Sequence, residues 1–326
     1  MAIQSKKFCL VLIKPSHYDD DGYVIQWFRS AIPSNSLACL YGLALECKEQ
    51  KVLGEEVELE IHAFDETNSH IRPDKIASLI KKADDGMVML VGVQSNQFPR
   101  SLDLSTILRK KGIRVAIGGF HVSGTMAMLK ERDPLVQKAL ELGVTVFAGE
   151  AEGRLGQVLK DAFENKLQPI YNFMDDLPNI QGVAPPLLPA ERIHLTAGAT
   201  TSFDAGRGCP FTCSFCTIIN VQGRKSRRRS PEDIEKIVVE TFNGTPVFVK
   251  DLASVEMTAL APSGVLGYTD KRNRDSIVDV DNSVEGIVLM RRGENPSEVL
   301  QSVKEKITEL NGGKLPKGVS IRIMYD

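Results

Sequence analysis

Three cysteines, Cys209, Cys213 and Cys216, stand in the run Gly206-Arg-Gly-Cys-Pro-Phe-Thr-Cys-Ser-Phe-Cys-Thr217. Thiolates separated by three and then two residues can converge on one face of an iron-sulfur cube. That leaves the fourth iron without a protein ligand and open to a small molecule. The other readings of the same residues are a structural zinc site or three unconnected buried thiols. A closed zinc site takes four ligands, usually two CxxC-type pairs or one pair with two histidines, and no second pair exists in the chain. Cys9, Cys39 and Cys47 lie far upstream in apolar stretches, where cysteine serves as a small buried hydrophobe.

The elements that must position the loop come in two halves. Upstream, short apolar runs at Phe8 to Ile13, Val57 to Ala63, Met87 to Gly92, Arg114 to Gly118 and Val144 to Ala148 read as strands. Amphipathic segments near Ser36 to Glu49, Pro73 to Ala83, Leu102 to Lys111, Pro134 to Leu142 and Glu152 to Asn165 read as helices. This alternation predicts an α/β domain, a doubly wound parallel sheet of Rossmann-like type over residues 1 to 166. Ligands of such sheets settle outside the carboxyl ends of the strands. Here those ends carry Gly92-Val-Gln-Ser-Asn-Gln-Phe-Pro99, Gly118-Gly-Phe-His-Val-Ser-Gly124 and Gly149-Glu-Ala-Glu152, whose glycines let backbone approach a ligand closely.

The cysteine loop resembles the signature of the radical S-adenosylmethionine (radical SAM) enzymes: CxxxCxxC, an aromatic before the last cysteine at Phe215, and an Arg-Gly-Cys-Pro lead-in from Arg207 to Pro210. The resemblance implies that Cys209, Cys213 and Cys216 each hold one iron of a 4Fe-4S cluster. It further implies that S-adenosyl-L-methionine binds the fourth iron, with Phe215 flanking its adenine. Chemistry in that family begins with reductive cleavage of the sulfonium to a 5'-deoxyadenosyl radical, with electrons from a donor such as a flavodoxin or ferredoxin. The upstream domain looks like the cobalamin-binding domain of one branch of the family, with Gly118, Gly119, His121, Gly149 and Glu150 as the points of likeness. The Asp-x-His-x-x-Gly element by which some cobalamin domains supply a lower ligand is missing, since Asp65-Glu-Thr-Asn-Ser-His70 does not fit it. No GxGxxG or GxxxxGK[ST] follows a strand, which leaves a dinucleotide or P-loop reading weak.

Residues 167 to 198 are broken by Pro169, Pro178, Pro185, Pro186 and Pro189 and read as an extended linker. Residues 199 to 237 read as the start of a radical SAM partial barrel, with Thr200 to Ala205 as its first strand. The basic run Gly223-Arg-Lys-Ser-Arg-Arg-Arg229 reads as a solvated surface segment, because nothing aromatic is interleaved to stack bases. Ser230, Pro231, Glu232 and Asp233 announce a helix. A six-unit partial barrel needs roughly 180 residues, more than lie between Thr217 and Asp326. The barrel is therefore expected to be truncated.

From Val238 onward the chain resembles the porter region of heavy-metal efflux pumps of the resistance-nodulation-division family. The likeness runs through Asn243 to Val255, Val284 to Asn295 and Leu315 to Asp326. Glu285 to Arg291 reads as a strand, Asn295 caps a helix reaching Leu310, and Val319 to Tyr325 alternates as a second strand, an α+β ferredoxin-like split β-α-β unit over residues 238 to 326. The two resemblances give a chimeric chain with its seam between Ile234 and Phe242, and leave a fragment of an efflux transporter, or a cobalamin carrier with a vestigial cluster loop, as the alternative functions. Composition fits a globular protein: 326 residues, 42% hydrophobic and 25% charged. A formal charge of -2 implies no general attraction to nucleic acid or membrane. No apolar run reaches the roughly 20 residues of a membrane span, and a cytoplasmic location is expected.

Overall fold

The computed structural model describes residues 6–197, 202–213, 216–242, 245–258, 266–270 and 278–324. Its centre is β1 (Lys6–Lys14), a strand apolar on both faces. Phe8, Leu10 and Leu12 point to one side, Cys9, Val11 and Ile13 to the other, and all six are fully buried, as expected of an interior parallel strand. β2 (Val57–Asp65) and β3 (Asp85–Leu90) flank it, with Leu10 opposite Ile61 and Met87. β4 (Arg114–Gly118), β5 (Thr145–Ala148) and β6 (Ile170–Asn172) extend the sheet in turn, every pair parallel. The strand order is β2-β1-β3-β4-β5-β6. The sequence-based expectation of a doubly wound parallel sheet holds.

Helices cover both faces. α1 (Asn35–Glu49) and α6 (Leu155–Phe163) bury Leu37, Leu43, Val158 and Leu159 against the Phe8 side. On the Cys9 side α2 (Pro73–Lys82), α3 (Phe98–Lys110), α4 (Phe120–Met128) and α5 (Pro134–Glu141) bury Ile76, Ile80, Phe98, Leu108, Val122 and Val136. Helix starts follow their caps. The Ser34 hydroxyl accepts from the Leu37 N–H at 3.3 Å, and the Asp133 carboxylate accepts from the Leu135 and Val136 N–H groups at 2.9 and 3.1 Å.

Two expectations for this half need correction. The segment after β4 is a helix, α4, and not only a loop. Of the expected linker 167–198, the described residues 167–197 are not a free extended segment. They contribute β6 and a short helix, α7 (Ala190–Ile193), and bury Ile180 and Leu188. The prolines fix an extended path while the apolar residues between them pack; the Leu187 N–H donates to the Ala38 carbonyl at 3.1 Å.

Downstream, β7 (Gly206–Arg207) and β8 (Arg227–Arg228) pair antiparallel, with α8 (Ile218–Val221) between them. The expected barrel strand is not formed over residues 202–205, and Thr200 and Thr201 lie outside the described residues. The helix announced by Ser230 is α9 (Pro231–Glu235), closed by a reciprocal Ser230–Asp233 capping box. β9 (Val238–Phe242), β10 (Thr245–Phe248) and α10 (Val249–Leu252) complete a compact unit that ends at Met257.

A second unit runs from Thr258 to Asp326. It contains the antiparallel pair β11 (Leu266–Asp270) and β12 (Val278–Ser283) and the helix α11 (Pro296–Asn311), capped by Asn295 as expected. The two strands expected to flank α11 are not formed. Residues 285–291 and 319–324 carry no strand, and Tyr325 lies outside the described residues. A strand needs a partner for its backbone groups. Here Ile287, Leu289 and Met324 are exposed, and α11 buries no residue. Among the described residues no helix is long and apolar enough to cross a membrane.

Candidate functional site

The carboxyl ends of β3, β4 and β5 open on a cavity of about 280 Å3. Its apolar floor includes Met89, Ala116, Phe147 and Leu155, and its rim includes Gly118, Gly119, Gly149 and Glu150. Four of the five residues expected at a cobalamin site are thus brought together where an open α/β sheet binds ligands. Two of these glycines also have a reason within the chain itself. Gly119 has φ +143°, and a Cβ there would lie 2.2 Å from the Val93 nitrogen; one on Gly149 would lie 3.0 Å from the Phe173 carbonyl. The chain packs against itself at these points.

His121 does not line the cavity. It is buried on the first turn of α4, its ring 4.2 Å from that of Phe98 and its Nδ1 3.1 Å from Ser95 Oγ. Nε2 stands 3.4 Å from Asp133 Oδ1. Burial lowers the His121 pKa below its ordinary value, and Asp133 opposes the shift in part.

Beside the cavity lies a charge network that local sequence pattern did not show. Arg207 donates from Nε to Asp204 Oδ2 at 2.7 Å, from Nη1 to Glu150 Oε2 at 3.0 Å and from Nη2 to Glu152 Oε1 at 2.6 Å. Arg227 also donates to both Glu150 oxygens. Arg229 closes the set on Asp204. Three cations face three carboxylates, and charge-assisted hydrogen bonds offset the cost of burying them. Burial works against the Arg207 cation, but the hydrogen bond and charge of Glu152, with the charge of Asp204, hold its pKa above the ordinary arginine value. The basic run is accordingly not a solvated segment throughout. Arg224, Lys225 and Arg228 are exposed, whereas Arg229 is 2% exposed. Alternation through β8 and the residue that follows it turns Arg227 and Arg229 inward and Arg228 outward, and that period was the signal available in the sequence.

Cys39 borders the network, its thiol 3.6 Å from Asp204 Oδ1. Burial first, and Asp204 second, push it up to about 12, which keeps it a protonated, unreactive thiol. With Cys9 and Cys47 it is buried and free, as expected of core cysteines.

The cysteine loop springs from this network. β7 and β8 close its base, and the Cys209 N–H donates to the Gly223 carbonyl at 3.2 Å. The Cys216 N–H donates to the Cys213 carbonyl at 3.2 Å, and Thr217 packs against Gly124 of α4. Cys213 is exposed, Cys209 and Cys216 are partly buried, and none is in a disulfide. Among the described residues no group of three or more ligand-type side chains is gathered to hold a metal ion. The structure puts the three thiols on one anchored loop without drawing their sulfurs together. As a donor set, three free thiols fit an iron-sulfur cluster. Phe215 lies outside the described residues.

Comparison with known proteins divides the chain between two kinds of relative. Residues 217–326 match the AcrB/AcrD/AcrF family. The chain is similar to the bacteriochlorophyllide d C-8(2)-methyltransferase of Chlorobaculum tepidum, 28% identical over 166 residues, which is 48% of this chain and 34% of the enzyme. It is also similar to the cation efflux system protein CusA of Escherichia coli K12, 31% identical over 96 residues, covering 29% of this chain and 8% of the transporter. A third relative, the cobalt-zinc-cadmium resistance protein CzcA of Cupriavidus metallidurans, is 32% identical over 97 residues, 30% of this chain and 8% of its own length. The chain spans about a third of the methyltransferase and under a tenth of each of these two transporters. Similarity to two unrelated kinds of protein is what a chimeric chain produces.

Proposed function

We propose that the chain carries a radical SAM module, with a 4Fe-4S cluster on Cys209, Cys213 and Cys216 and a cobalamin-type α/β domain before it, directed at methyl transfer to an unidentified substrate. The observation that carries the reading is the loop itself: three free thiols at CxxxCxxC spacing, anchored beside the ligand-binding end of a parallel sheet. The similarity to a methyltransferase supports it.

In this reading the bound cluster and S-adenosyl-L-methionine supply the radical chemistry, and cobalamin the methyl carrier. The chain's own residues do the rest. Exposed Cys213 is positioned to meet a cluster arriving from solvent, while Cys209 and Cys216 sit at the two anchored ends of the loop. Gly118, Gly119 and Gly149 shape the cavity rim. Glu150, with both oxygens taken by arginines, holds the cysteine loop to the sheet at the cavity rim.

Anaerobic reconstitution with iron and sulfide, followed by metal analysis, tests the proposal. Iron and sulfide in equal amounts, lost on Cys213→Ala, are expected. Zinc in place of iron, or loading unchanged by Cys213→Ala, rejects it. Equilibrium binding of cobalamin to the full chain tests the cobalamin part of the reading, and binding of cobalamin by a chain that assembles no cluster marks a carrier with a vestigial cluster loop.

A second reading rests on the family match over residues 217–326: this part is a piece of an efflux-pump porter region that docks with other pump components. Co-purification with an inner-membrane transporter supports it, and a clean negative removes it.

A further inference from the structure

We propose that Arg207 is the positioning residue of the cysteine loop, a latch that fixes the amino-terminal stem of the loop to the turn between β5 and α6. The proposal rests on the cluster-binding reading only for what the loop holds.

The geometry is specific to arginine. All three guanidinium nitrogens are engaged, Nε by Asp204 of the stem itself, Nη1 and Nη2 by Glu150 and Glu152 of the β5–α6 turn. A planar fork meets three carboxylates at once; a lysine ammonium cannot reproduce that fan. Only Gly208 separates Arg207 from Cys209. That glycine has φ +82°, and a Cβ on it would lie 2.1 Å from the Lys225 carbonyl oxygen. The orientation of Arg207 is therefore passed to Cys209 through a turn with no slack.

The latch is separate from what holds the domain together. The sheet is stabilised by two apolar clusters, one on each face, to which Arg207 does not belong. Releasing it should free the loop and leave the sheet folded.

The test uses the full, iron-free chain and measures the alkylation rate of each cysteine with a maleimide by peptide mass spectrometry. The double variant Arg207→Met with Glu152→Gln removes one cation and one anion together, leaving Glu150 on Arg227 and Asp204 on Arg229. It is expected to raise the rates at Cys209 and Cys216 by about tenfold or more, the signature of a local opening, with buried Cys9 and Cys47 unchanged. Unchanged rates at Cys209 and Cys216 overturn the proposal. So do rates that rise equally at Cys9 and Cys47, which would mark general unfolding.

Arg207→Lys supplies a second arm in protein reconstituted with iron and sulfide. It is expected to retain iron with a shifted electron paramagnetic resonance signal of the reduced cluster. A spectrum identical to the unsubstituted protein overturns the positioning role. If the unsubstituted protein takes up no iron while the alkylation difference stands, the cluster reading fails and the latch survives.

Discussion

Arg229 holds Asp204 twice, donating from Nε to its carbonyl at 3.0 Å and from Nη2 to its carboxylate at 3.4 Å, while Nη1 donates to the Val183 carbonyl at 3.0 Å. One buried side chain thus joins three segments of backbone. Arg229→Met is expected to lower stability by about 3 kcal/mol or more, because buried acceptors lose a charged partner. Arg228→Met, one residue away and exposed, should stay within about 0.5 kcal/mol. Urea unfolding of the two variants makes the comparison.

Gly119 and Gly156 respond oppositely to the same substitution. Gly119→Ala puts a methyl 2.2 Å from the Val93 nitrogen at φ +143°, and a loss above about 3 kcal/mol, or no folded protein, is expected. On α6, a Cβ at Gly156 meets Val52 at an ordinary 3.6 Å. Gly156→Ala should therefore gain about 0.5–1 kcal/mol. Thermal and urea midpoints separate the two.

His121 gives the domain an acid-side weakness. Its folded pKa lies below the ordinary histidine value of 6.5, with burial as the main cause. The unfolded chain therefore takes up the proton first as pH falls through 6.5, and folded stability drops until the lowered folded pKa is passed. Above that window both states are neutral and the term vanishes. The groups facing the ring are Phe98, Ser95 and Asp133, and of these only Asp133 opposes the loss. Stability measured from pH 7.5 to 5 should fall less steeply in His121→Asn than in the unsubstituted protein. Equal slopes would remove His121 as the cause.

Residues 1–257 form a compact unit by themselves. A chain ending at Met257 is expected to keep the urea midpoint of the parallel sheet. Iron uptake at Cys209, Cys213 and Cys216, if present in the full chain, should persist in it. A shortened chain that fails to fold would show that residues 258–326 contribute to the first unit.

The α/β half was legible because its signals are local. The apolar run Phe8 to Ile13 can only be an interior strand, and Asp133-Pro134 can only start a helix once their neighbours alternate. α4 was missed because its amino end is two glycines followed by Phe120 and His121, with no side-chain cap. β6 was missed because three residues amid prolines give too short a period to read. In the second unit the helix formed as read, whereas the two strands expected beside it did not. A helix satisfies its hydrogen bonds within itself, whereas residues 285–291 and 319–324 depend on a partner strand that their own pattern does not specify.

By itself the sequence determined the parallel sheet, most of its helices and the cysteine loop as the place where chemistry belongs, since periodicity and thiol spacing are properties of neighbouring residues. Only the tertiary structure decided that Arg207, Arg227 and Arg229 turn inward onto Glu150, Glu152 and Asp204, and that His121 stays off the cavity. Most of those outcomes pair groups well separated along the chain, 25 positions for Arg229 and Asp204 and 77 for Arg227 and Glu150, or set one helix face against another. A charge finds its partner in space, and nothing in the order of residues along the chain records which one it will be.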